Sequence, residues 1–253
     1  MKQIPTRFPV SKLTLAIAGT MVGALLTTPS LYAKQLWSDN SLSLLRGNDY
    51  ELIEDEGQKV LTFEHVSGHS WGDMFTFIDR LEGDSGYIET YWELSPRLSI
   101  GKMVDKKLSV GPIKDVLITT TAEIADGKFP FTNYLIGPAI DLDIPGFKYF
   151  QLNAYRRNNE FSDDNWQLTP VWGLPFSIAG QDFLYDGFAD WRSGSGDNTT
   201  ELNITSQLTW DIGALMQTPK TIYIGVEYVY WTNKFGVQDI DERNLNALLK
   251  VHF

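Results

Sequence analysis

Asn244-Leu245-Asn246-Ala247-Leu248-Leu249-Lys250-Val251-His252-Phe253 alternates polar and apolar side chains with a period of two. Leu245, Ala247, Leu249, Val251 and Phe253 fall on one side of an extended chain, and Asn244, Asn246, Lys250 and His252 on the other. Leu248 is the one apolar intruder. Successive side chains of a strand point to opposite faces, so this segment offers one face to an apolar medium and one to water. The run before it, residues 220–232, puts Ile222, Ile224, Val226, Tyr228 and Tyr230 on one side and Tyr223, Glu227 and Trp231 on the other. Earlier still, Leu202, Ile204, Leu208, Trp210 and Ile212 alternate with Glu201, Asn203, Thr205, Gln207, Thr209 and Asp211. Each run has roughly the ten residues that a tilted strand needs to cross a bilayer.

Upstream the alternation predicts strands over residues 36–46, 59–67, 73–80, 86–97, 113–125, 133–141, 147–157, 164–175 and 182–192. Turn chemistry separates them: Gly83-Asp84-Ser85-Gly86, Asp126-Gly127, Pro145-Gly146 and the Ser193-Gly194-Ser195-Gly196-Asp197-Asn198 stretch. With the last three runs this makes about twelve strands, an even number that returns both chain ends to one side. Soluble sandwiches also alternate. Strand length, apolar faces ending in Trp210, Tyr228 and Tyr230, and the closing Phe253 favour a membrane barrel. The expected fold is all-β: a transmembrane antiparallel β-barrel preceded by a cleavable signal peptide. A soluble periplasmic β protein is the alternative, and osmotic shock would release it.

The signal peptide is read at residues 1–33 and the barrel at 34–253. Lys2, Arg7 and Lys12 are followed by an apolar run, 13–26, and then by small and polar residues up to Ala33. That run is short for a membrane helix of ~20 residues. The net charge of −11 becomes more negative once the basic leader is removed, which argues against nucleic acid as a partner. The chain has no cysteine, which suits an oxidising compartment, and no later segment has the unbroken apolar length of a membrane helix.

Four segments carry a family resemblance. Ser95-Pro96-Arg97-Leu98-Ser99-Ile100 and Leu108-Ser109-Val110-Gly111-Pro112-Ile113-Lys114 follow one another at a set spacing. Trp71-Gly72-Asp73-Met74-Phe75-Thr76-Phe77-Ile78-Asp79 lies before them and Gly187-Phe188-Ala189-Asp190-Trp191 after. In order and spacing the chain resembles the Tsx and OmpK-like family of nucleoside-specific channel-forming outer-membrane proteins. The resemblance implies a monomeric twelve-stranded barrel in the Gram-negative outer membrane. It also implies a narrow lumen that passes nucleosides or similar small solutes by passive diffusion, and a surface that phages or colicins use for attachment. A barrel whose main role is phage or colicin attachment, with little transport, is the alternative function. The aromatic-rich early segment that lines the nucleoside path of enterobacterial members has no clear counterpart in the sequence.

A nucleoside has a flat apolar base and a polar sugar, so a selective channel would stack the base on aromatics and bond the hydroxyls with ionisable groups. The strand faces assigned to the lumen supply such pieces. Glu89, Tyr91 and Glu93 alternate on one strand, with Arg97 at its end; Asp186, Phe188, Asp190 and Arg192 alternate on a second; Tyr223, Glu227 and Trp231 on a third. For each acidic residue and for Arg97, a structural ion pair across the barrel is the competing role. A one-residue slip of register would instead turn Tyr223 and Trp231 out to the membrane interface. No enzyme motif, cofactor site or metal site is expected. His65 and His69 stand four apart, but the sequence reads them across a strand end and a turn at Gly68, with no third ligand.

Overall fold

A computed structural model describes residues 34–53 and 56–253. The expected signal peptide lies outside the described residues. Twelve strands form a closed antiparallel barrel in which each pairs with its sequence neighbours and the last pairs with the first. They are β1 (Gln35–Gly47), β2 (Gln58–His69), β3 (Gly72–Gly83), β4 (Ile88–Ser99), β5 (Ile113–Asp126) and β6 (Phe131–Leu142). The second half comprises β7 (Tyr149–Asn158), β8 (Asn165–Ile178), β9 (Gln181–Arg192), β10 (Glu201–Asp211), β11 (Ile222–Thr232) and β12 (Glu242–His252). One short helix, α1 (Ile100–Met103), follows β4, with the Ser99 side chain accepting from the Lys102 amide.

The burial pattern is that of a water-soluble protein turned inside out. Ser43, Gln58, Thr119, Asn244 and Asn246 are among the most buried residues, whereas Leu42, Leu44, Ile224, Leu245 and Leu249 are exposed. Closure pairs the backbone amides of every strand and leaves no edge, which is what a lipid environment requires. At the closing seam Leu44 of β1 faces Leu249 of β12, which in turn faces Ile224 of β11. These three form part of the apolar outer face. Trp210, Phe183 and Phe176 stack on one another on the outward face of β8–β10 beside the β8–β9 turn, with ring centroids 6.3 and 5.4 Å apart, as an interfacial aromatic girdle would.

The sequence reading misplaces a few strand ends for local reasons. Gly86 does not open β4: its φ of +91° belongs to a turn closed by hydrogen bonds between Gly83 and both Gly86 and Tyr87. Phe147 likewise lies in a turn, with its amide bonded to the Ile144 carbonyl. Ile212 leaves β10 to cap the 3-10 turn Gly213–Met216.

The turn expected at Gly68 is also absent. β2 runs through to His69, and Gly68 is needed because the Trp37 indole lies across it, within 2.1 Å of where a Cβ would stand. The intruder Leu248 faces inward, as its parity requires. It packs with Leu45 and Val60 into a small core against which Tyr50 and Leu81 lie.

That core seats Tyr50, just past the end of β1, in the far mouth of the barrel, the end opposite the start of β1 and the end of β12. The Tyr50 hydroxyl donates to Asn246 Oδ1 at 2.8 Å, the Asp49 amide to Asn244 Oδ1 at 3.3 Å, and the Glu51 amide to Glu242 Oε2 at 2.9 Å. Inward-facing polar residues of β12 thus fasten residues 49–51 at the mouth. Burial is the main reason the Tyr50 hydroxyl titrates above its usual range. Nearby, Asp84 is held below the usual carboxylate range first by the hydrogen bond from Arg46.

Candidate functional site

The strand tilt of a barrel, ~35–45°, makes a row of register-paired residues climb along the axis. One such row runs Ser41, Glu64, Phe77, Glu93, Glu123, Asn133 from β1 to β6. A second runs Asp186, Gln207, Glu227, Asn246 from β9 to β12. All face inward, so the inner wall carries two polar spirals interrupted by Phe77.

Two networks reach across the lumen between strands that are not neighbours. The first centres on Glu123 of β5. Arg157 of β7 grips it with both guanidinium nitrogens, at 2.6 and 2.7 Å. Arg192 of β9 approaches the same carboxylate at 3.7 Å, pairs with Glu201 at 2.9 Å and lies 3.6 Å from Asp190. Asp190 also accepts from Thr169 at 2.6 Å and from Gln167 at 3.0 Å. The Trp231 indole donates to Glu201 at 3.1 Å. Asp190, Arg192 and Trp231, three of the residues nominated from sequence, therefore belong to one assembly near the far mouth.

The second network centres on Lys250 of β12. Its ammonium reaches Glu64 of β2 at 2.9 Å and Gln207 of β10 at 2.8 Å, and Gln207 donates to Glu227 at 2.8 Å. Asp186 lies beside Gln207 in register.

The remaining nominees are dispersed. Arg97 is clamped between Asp73 at 2.7 Å and Asp141 at 2.8 Å. Tyr223 meets the His252 ring edge-on at the end of β12, and Glu89 accepts from the Tyr87 hydroxyl near the far mouth. Phe188 lies between Asp186 and Asp190 on the inward parity of β9, opposite Thr205.

Of the aromatic ladder on β3, β4 and β6, sequence reasoning nominated Tyr91 alone. Phe75, Phe77, Tyr91 and Phe131 follow one another with ring centroids 5.8, 5.7 and 6.3 Å apart. The Tyr91 hydroxyl donates to Glu93 at 2.6 Å. The signal was present, because Phe75, Phe77 and Asp79 share one parity of an alternating strand. β3 thus carries an inward-facing aromatic pair, Phe75 and Phe77, early in the barrel.

Glu123, Arg157, Glu64 and Lys250 were also passed over. Their contacts skip at least one strand and depend on tilt, which alternation does not encode.

His65 and His69 sit on one strand face, joined through Ser67 at 3.0 and 2.9 Å, with His65 also against Asn40 at 2.8 Å. Glu64 points the other way, to Ser41 and Lys250. No group of three metal-ligating side chains forms among the described residues.

The family described as "nucleoside-specific channel-forming protein, Tsx" matches residues 37–250. An outer membrane protein OmpK of Vibrio parahaemolyticus is 26% identical over 136 residues, 49% of this chain and 51% of the relative. OmpK of a second strain, serotype O3:K6, is 25% identical over 166 residues, 59% of this chain and 62% of the relative. The chain thus spans about half to three-fifths of the length of these relatives. Among solved structures, the KdgM porin in complex with disordered oligogalacturonate superposes with a TM-score of 0.50 at 8% identity, covering 85% of this chain and 99% of that one. At that identity the likeness is one of fold.

Proposed function

We infer the solute from the premise that this chain belongs to the family of nucleoside-specific channel-forming proteins, Tsx. It is an outer-membrane β-barrel of the channel-forming kind. Its lumen passes nucleosides down their concentration gradient, with the start of β1 and the end of β12 on the periplasmic side. The observation that carries this reading is the ladder Phe75, Phe77, Tyr91, Phe131, flanked along its row by Glu64, Glu93 and Glu123. An aromatic face supports a base with ~1–3 kcal/mol of stacking whatever its identity. The adjoining carboxylates accept from ribose hydroxyls. Several weak sites in series allow capture and release.

The remaining nominees would line the same path. Asp190, Arg192 and Trp231 edge its far end, and Asp186, Phe188 and Glu227 its middle. Arg97, held by two carboxylates, fixes strand positions instead. The test is block of ion current through single channels in a planar bilayer. Uridine and adenosine should reduce the wild-type current at a half-blocking concentration that rises in Phe77→Ala and Tyr91→Ala. A folded, conducting barrel indifferent to both nucleosides would refute the reading.

A further inference from the structure

The cations that the described strands turn toward the lumen are all engaged. Among the described strand residues these are Arg97, Arg157, Arg192 and Lys250, and each is paired with at least one carboxylate. At the far mouth the Lys234 ammonium is also spent, on Glu242. The carboxylates are not matched in turn. Asp79 has only the Thr62 hydroxyl, at 2.6 Å, and Glu227 only the amides of Gln207 and Asn246, at 2.8 and 3.2 Å. Asp186 lies in the same register row as Glu227. None of the three has a cation within ion-pairing distance among the described residues.

A second, separate observation points the same way. Ser43, Gln58 and Asn153 face inward with only 1, 1 and 3% of their surface exposed. The Ser43 hydroxyl and the amide oxygens of Gln58 and Asn153 have no hydrogen-bond partner among the described residues. Ser43 sits between Lys250 and Thr62 in register, two strands from Asp79. An amide oxygen can only accept. The free capacity of Gln58 and Asn153 is therefore for donors and cations, while the Ser43 hydroxyl can serve either way.

We propose that the lumen selects for cations over anions, so that its permeant class takes in monovalent cations, organic amines included, as well as neutral solutes. Rings of acidic side chains make a pore cation-selective, and low-dielectric walls focus the field of the unmatched carboxylates into the lumen. The charge that excludes anions is assigned to Asp79, Asp186 and Glu227. This rests on the channel reading above and deepens it.

The experiment is the reversal potential across a planar bilayer holding the mature protein under a potassium chloride gradient, with uridine flux into liposomes measured on the same preparation. The expected result is a potassium-to-chloride permeability ratio severalfold above one, falling toward one in the Asp79→Asn/Asp186→Asn/Glu227→Gln variant. The ratio should also fall as bulk salt shortens the Debye length toward ~3 Å at 1 M. If the triple variant does not fold, Asp186→Asn alone should lower the ratio partway. A wild-type ratio at or below one, with uridine flux intact, overturns the proposal and leaves the channel standing. A high ratio unchanged in the folded triple variant overturns the assignment to these carboxylates. A folded barrel with neither conductance nor uridine flux overturns both.

Discussion

Glu64 and Glu123 lie in one register row, three strands apart, and each is neutralised by a cation from elsewhere on the wall: Lys250 for Glu64, and Arg157 with Arg192 for Glu123. Three strand spacings of ~4.8 Å at a tilt near 40° separate the two carboxylates by about 9 Å along the barrel axis. A single row therefore supplies both charge networks, and Phe77 and Glu93 stand between them. A flat sheet with the same sequence would put all four at one level.

The Glu123–Arg157 pair should be a main fastening of the far half. Both side chains are almost wholly buried, at 3 and 4% exposure. Arg157→Ala leaves a carboxylate without its principal partner, a change that costs ~3–5 kcal/mol for a buried pair. Urea unfolding in detergent, followed by tryptophan fluorescence, should show that loss. The Arg157→Met/Glu123→Gln double variant should recover much of it. Equal losses in the single and double variants would mean that the pair is not coupled.

The outer belt and the inner wall should respond oppositely to charge. Leu249 faces lipid in the same row as Leu44 and Ile224, so Leu249→Lys should destabilise the barrel by ~2–4 kcal/mol, as a cation near the bilayer midplane does. It should also shrink the fraction of protein that runs as a compact, heat-modifiable band. Thr205→Lys, on the inward side of β10, should leave that band largely intact. Equal damage from both would contradict the assignment of faces.

The loop in the far mouth depends on β12. Asn244→Ala removes the acceptor for the Asp49 amide and a neighbour of Asn246, while Tyr50→Phe removes the hydroxyl bonded to Asn246. A typical hydrogen bond contributes ~0.5–1.5 kcal/mol, so each change should loosen the loop without unfolding the barrel. Limited proteolysis of intact protein should then cut within residues 48–57 at an increased rate, and single-channel conductance should rise. Unchanged cleavage and conductance in both variants would show that these bonds do not hold the loop.

Stacking should be visible as affinity. If the base sits against Phe77 and Tyr91, replacing either with Ala removes ~1–3 kcal/mol, which is about 5- to 150-fold in the half-blocking nucleoside concentration. Replacement with another aromatic should restore most of it. Asp186→Asn, away from the ladder, should shift that concentration far less.

The strands were legible because inside and outside are chemically opposite at nearly every position, as in Leu245 to Val251. Leu248 breaks the pattern, and its reason is tertiary: it joins Leu45 and Val60 under Tyr50, a residue of a loop that folds back into the mouth. Gly68 misled for a similar reason, since what demands glycine there is the Trp37 indole from the neighbouring strand. Parity placed the eleven nominated side chains on strands whose alternation could be read. It could not tell that Arg192 would meet Glu123 from four strands away or that Arg97 would be held by Asp73 and Asp141. Those meetings depend on tilt, closure and barrel radius, none of which is written in the period of two. Phe75 and Phe77 are readable by the same parity, since they alternate with Thr76 on β3.

The most direct test of the central claim is uptake of labelled uridine into liposomes carrying the folded, heat-modifiable protein, compared with uptake of a disaccharide of similar mass. The account predicts rapid uridine entry that saturates with concentration and is slowed in Phe77→Ala, against slow disaccharide entry. Folded barrels that admit neither solute, or both at the same unsaturable rate, would contradict it.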